Sequence, residues 1–85
     1  KMTKTDQLLE VLEEKGYNAE AYDDEVVVFY ENGMHHDCTV DITVEEDRYE
    51  VSSWNNDLEK GSNSKTVKKL QSVLNFVEKK VTYQR

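Results

Sequence analysis

A chain of 85 residues with 36% hydrophobic and 34% charged side chains supports one thin core, so a single domain over residues 1–85 is expected. No apolar run reaches membrane-spanning length and no basic start leads into an apolar stretch, so neither a membrane span nor a signal peptide is expected. One cysteine rules out an internal disulfide framework and fits a reducing, cytoplasmic setting.

Residues 3–15 read as a helix. Thr5 or Asp6 serves as its cap, Leu8, Leu9, Val11 and Leu12 form its apolar stripe, and Gly16 is its stop. Residues 17–54 then read as four strands. Ala19 and Ala21 alternate with polar neighbours, and a three-residue loop, Asp23 to Glu25, turns the chain. The run Val26-Val27-Val28-Phe29-Tyr30 has the highest β-propensity in the sequence.

Asn32-Gly33 is a strong hairpin signal, because a type I′ turn needs positive φ at both central positions. A two-residue loop there sets Phe29 against His36 and Val27 against Cys38. A second two-residue loop at Glu46-Asp47 sets Val44 against Tyr49, Ile42 against Val51 and Val40 against Ser53. Both hairpins then place their apolar residues on one face, and a one-residue slip would send them to the other.

Residues 55–62 read as a polar loop. Ser62, Asn63 or Ser64 caps a second helix with the stripe Val67, Leu70, Val73, Leu74, Val77 and Val81. Lys65, Lys68 and Lys69 at its start oppose the helix dipole, which points to contacts with the acidic sheet or a partner. The expected fold is α+β in the order α-β-β-β-β-α. It is a two-layer sandwich, a four-stranded antiparallel meander with both helices on one face. Phe29, Val40, Ile42, Leu12, Leu70 and Leu74 are its expected shared core.

Charge divides the chain. Residues 1–59 hold 4 Lys/Arg and 17 Asp/Glu, a net of −13, while residues 60–85 hold 7 Lys/Arg and 1 Asp/Glu, a net of +6. An acidic body argues against direct nucleic-acid binding, which needs a basic face to displace counterions. It suits attraction to basic partners, or solubility alone.

His35-His36-Asp37-Cys38 holds four metal-ligand types, but alternation along a strand splits them two to a side, short of a stable zinc set. The acidic runs Asp23-Asp24-Glu25 and Glu45-Glu46-Asp47 lack the spacing and glycine of a calcium loop, and read as turns. Cys38 and His36 share a strand face, with no third orienting group marked. No phosphate loop or nucleophile elbow is present, so the reading is a non-enzyme without metal or cofactor.

The second sheet face, expected to stay open, carries Tyr22, Val26, Val28, Tyr30, His35, Asp37, Thr39, Asp41, Thr43, Glu50, Ser52 and Trp54. Tyr22, Val28, Tyr30, Asp37, Asp41, Glu50 and Trp54 are the candidate partner-binding residues, since aromatic anchors among carboxylates suit a basic protein surface. In size, acidity and α+β layout the whole chain resembles small acidic phage and mobile-element proteins, including anti-CRISPR inhibitors and nucleic-acid mimics. That likeness implies binding and inhibition of a basic, nucleic-acid-binding protein. The alternatives are an immunity or antitoxin protein that neutralises a toxin, and an accessory subunit, such as a homodimer, that associates through the valine and aromatic strip.

Overall fold

In the computed structural model, which describes residues 3–32 and 35–83, helix α1 spans Lys4–Glu14. Its cap is Thr3, ahead of the expected Thr5 or Asp6. Thr3 Oγ1 accepts from the Asp6 N–H at 3.1 Å, and Asp6 Oδ2 accepts from the Thr3 N–H at 3.3 Å. Two otherwise orphaned donors are satisfied reciprocally, so Asp6 is the cap's partner and Thr5 is free to be buried. Gly16 ends the helix at φ +91°. It donates to the Glu13 carbonyl while Tyr17 donates to that of Leu12, the paired C-terminal bonds of a Schellman motif.

The strands are β1 (Asn18–Tyr22), β2 (Glu25–Asn32), β3 (His35–Val44), β4 (Tyr49–Asn55), β5 (Lys60–Gly61) and β6 (Lys65–Val67), followed by helix α2 (Leu70–Tyr83). All neighbours pair antiparallel, in the order β1-β2-β3-β4-β5, and β6 also pairs with β4. The protein is therefore α+β, with two helices and six strands among the described residues, two strands more than the expected four. β5 lies beside Trp54 and Asn55, and β6 beside Tyr49 to Val51, so the two short strands share one edge of β4.

Ser62, one of the three residues expected to cap the second helix with Asn63 and Ser64, instead joins β4 to this edge. Its N–H donates to the Ser53 carbonyl at 3.0 Å, and its Oγ accepts from the Ser53 N–H at 3.0 Å and the Ser53 hydroxyl at 3.1 Å. Val67 belongs to β6 opposite Tyr49 rather than to a helix stripe, and α2 begins only at Leu70. Lys65, in a strand, is clear of the helix dipole, whereas Lys69, whose carbonyl accepts from the Ser72 and Val73 N–H groups, still stands at the positive end of α2.

The β3–β4 register is as expected: Val44 faces Tyr49, Ile42 faces Val51 and Val40 faces Ser53. The β2–β3 register is not. Val26 pairs with Ile42, Val28 with Val40 and Tyr30 with Cys38. Between the Tyr30–Cys38 and Asn32–His35 pairs lie one residue of β2 and two of β3, a bulge that exchanges the faces of β2. Asn32, expected as the first residue of the turn, is instead the last residue of β2 and pairs with His35; Gly33 lies outside the described residues. The first hairpin closes over two residues rather than three, with Asp23 at φ +53° and Ala19 opposite Val28. Aspartate tolerates that left-handed backbone better than most side chains.

Val26, Val28, Val40, Ile42 and Val51 are fully buried in one cluster with Leu8 and Leu12 of α1 and Val73, Leu74 and Val77 of α2. Of the expected core, Val40, Ile42, Leu12 and Leu74 belong to it. Phe29 stands on the opposite sheet face, and Leu70, at the first turn of α2, is 36% exposed. Lys4 ties α1 to the β3–β4 turn: its Nζ donates to the carbonyls of Glu45 and Glu46 and sits 4.5 Å from the Tyr49 ring centroid.

Candidate partner-binding face

The face away from the core cluster is built in three cross-strand rows. The first runs Asn18, Phe29, Thr39, Trp54, Gly61; the second Glu20, Val27, Asp41, Ser52; the third Tyr22, Glu25, Thr43, Glu50, Thr66. Asp37 continues this face along β3. The rows contain Glu20, Glu25, Asp41 and Glu50, and no Lys or Arg.

Five of the seven candidate residues lie here: Tyr22, Asp37, Asp41, Glu50 and Trp54. Two do not. Val28 is 0% exposed within the core cluster, and Tyr30 is half-buried on that same side opposite Cys38. The changed β2 register removes them and substitutes Val27 and Phe29, both half-buried. The apolar run 26–30 gives either alternation of β2 an apolar face, so the pattern could not reveal this exchange.

Trp54 is held on the face by a hydrogen bond and by a close approach to the next strand. Its indole Nε1 donates to Asn56 Oδ1 at 3.3 Å, and Asn56 Nδ2 donates to Asp37 Oδ2 at 2.8 Å. The Asn56 N–H also donates to the Asp37 carbonyl at 2.8 Å. Asn56 thus links the two ends of β3 and β4 and holds an aromatic and a carboxylate in fixed relation. Across the strand, Trp54 packs over Gly61: a Cβ there would meet Trp54 Cε3 at 2.7 Å and the Ser53 carbonyl at 2.5 Å. The ring remains 41% exposed. Neither Asn56 nor Gly61 stood out in the sequence, where both fell within a stretch read as loop.

Asp41 occupies the middle of the central row, between Val27 and Ser52. It is half-buried, and burial pushes its pKa up, partly offset by the Thr39 hydroxyl, which donates to Oδ2 at 3.5 Å. It forms no ion pair with any described residue. At the rim, Tyr22 is 50% exposed and its hydroxyl donates to Glu20 Oε1 at 2.7 Å, which raises the phenol pKa. The acidic turn at the far end of β3 is less available as a contact surface, because Arg48 pairs with Glu45 at 3.1 Å and with Asp47 at 3.3 Å.

Cys38 is enclosed on the core side at 1% exposure. Burial first, then the Asp57 and Asp37 carboxylates, raise its pKa, so the group is a neutral thiol rather than a nucleophilic thiolate. The side chains of His35 and His36 lie outside the described residues. Among the described residues no three His, Cys, Asp or Glu side chains are grouped to hold a metal ion, and no helix is long and apolar enough to cross a membrane. No protein-family model, curated protein or solved structure matches the chain.

Proposed function

We propose that this chain is a non-enzymatic protein that binds and inhibits a basic, nucleic-acid-binding protein through the open sheet face, as small acidic phage and mobile-element inhibitors do. In the two-layer arrangement the helices lie on one side of the sheet and leave the acidic rows accessible. The observation that carries the reading is Asp41: a half-buried carboxylate at the centre of the face, with no ion-pair partner among the described residues, near Val27, Phe29 and Trp54. A lysine or arginine seated on it gains a charge partner in a partly desolvated site, where such pairing is stronger than in water. The surrounding carboxylates speed encounter and reject acidic partners, while Trp54, Phe29 and Tyr22 slow dissociation.

The test is capture from a lysate of the native host at low and high salt, with wild type, Asp41→Lys/Glu50→Lys and Trp54→Ala as baits. The expected result is a nucleic-acid-binding protein held by wild type at low salt and lost with the charge-reversed bait. Its nucleic-acid binding falls when wild type is added. Trp54→Ala speeds dissociation and leaves association nearly unchanged. A partner bound equally by all three baits overturns the reading. A cognate toxin as the specific partner moves the chain to the immunity class, and a salt-insensitive homodimer in light scattering moves it to the accessory class.

A further inference from the structure

The basic end of the chain folds into a feature of its own. Lys65 from β6, Lys68 and Lys69 from the connection, and Lys79 and Lys80 from α2 line a groove of about 760 Å3, with Phe76 in its wall. No carboxylate lines this groove, although the chain has 18 Asp and Glu. None of the five ammonium groups forms an ion pair with a described residue. Lys80 Nζ sits 5.4 Å from the Phe76 ring centroid, so cation and ring are presented together. Five like charges drawn round one concavity repel one another, and a bound anion relieves that repulsion.

We propose that this groove binds a compact anion bearing a chain of phosphates, of the size of a nucleoside triphosphate. Its volume lies within the roughly 300–1,000 Å3 of small-ligand sites. Lysines act as point charges for phosphate oxygens without the planar geometry that arginine imposes. Phe76 and Val67 provide the apolar wall that a base would use. A long nucleic acid is the poorer fit, because strand leaving the groove meets a body whose first 59 residues carry 4 Lys/Arg against 17 Asp/Glu. The groove is separate from the open sheet face, so its failure and the failure of the inhibitor reading are distinguishable.

Calorimetric titration of the purified protein at about 50 mM salt, where surface charge is only partly screened, tests it with three probes: ATP, inorganic tripolyphosphate and a single-stranded DNA of about ten nucleotides. The expected result is saturable one-to-one binding of a triphosphate that weakens as salt rises. Lys68→Ala/Lys79→Ala, with circular dichroism unchanged, loses at least about tenfold in affinity, a large share of a charge-driven site. An ATP preference that Phe76→Leu abolishes assigns the nucleotide as ligand, whereas equal affinity for ATP and tripolyphosphate assigns the phosphate chain alone. Absence of saturable binding, equal binding by the double variant, or tighter binding of the DNA strand than of either triphosphate overturns the proposal.

Discussion

The two faces of the sheet differ both in what they are made of and in how deeply it is buried. Val26 and Val28 are fully buried in the core cluster, while Val27 and Phe29, their chain neighbours, are half-buried on the opposite face. On β3 the contrast is sharper: Val40 and Ile42 point into the core, and Thr39, Asp41 and Thr43 away from it. An apolar side chain on one face therefore contributes to stability, and a similar one on the other is available for contact. The same substitution moved by one residue separates these roles.

The largest effect is expected from that pair. Val28→Asp places an unpartnered carboxylate in the core and should cost more than about 4 kcal/mol, enough to unfold a small domain. Val27→Asp, half-buried between Glu20 and Asp41, should cost less, about 1–3 kcal/mol. Denaturant unfolding of both variants reads the difference directly, and the opposite order would restore the register with Val27 inside. Next, Leu74→Ala should cost about 2–5 kcal/mol, whereas Leu70→Ala at the exposed first turn of α2 should lose under about 1 kcal/mol.

Gly61→Ala is a smaller disturbance, confined to the open side. The new Cβ meets the Ser53 carbonyl and the Trp54 ring, so a loss of about 1–3 kcal/mol is expected, with a shift in Trp54 fluorescence. An unchanged emission maximum would mean that the ring does not lie over β5.

The smallest effect should have the opposite sign. Because Asp41 has a folded pKa above its unfolded value, the folded state binds more protons between the two values. Its contribution to stability therefore falls as pH rises through that window, and the full penalty is present above the folded pKa. Asp41→Asn should raise the melting temperature slightly at neutral pH and give no gain below about pH 3, where the aspartate is protonated in both states.

How far the sequence revealed this arrangement depends on the strand. In β3 and β4 the alternation is strict, with Cys38, Val40, Ile42, Val44, Tyr49 and Val51 on one side, and the turn at Glu46-Asp47 leaves one compatible register. In β2 residues 26–30 are apolar without exception, so periodicity selects no face, and a bulge near Tyr30 sets the register. β5 and β6 span two and three residues, too short to show alternation, and Ser62 between them resembles a helix cap. Tyr22, Asp37, Asp41, Glu50 and Trp54 were placed on the open face by parity, while Phe29 was missed for the reason that misplaced Val28. The lysine groove left one trace, three cations where a helix start disfavours them. Its shape depends on the pairing of β6 with β4, which local pattern does not report.

Cys38 gives the protein a built-in clock. It is the chain's only thiol, and its enclosure lies where β2, β3 and β4 meet. A thiol reagent reaches it through an opening at the start of β3, where Cys38 borders a shallow pocket with Asn18, Phe29 and Tyr30. Under conditions where closing outpaces reaction, the labelling rate is the free-thiol rate multiplied by the locally open fraction, which is at least the globally unfolded fraction of about one molecule in several thousand for a stability near 5 kcal/mol. Every substitution considered above leaves this thiol in place. One absorbance trace therefore compares how often each variant opens, without denaturant and without an added probe site.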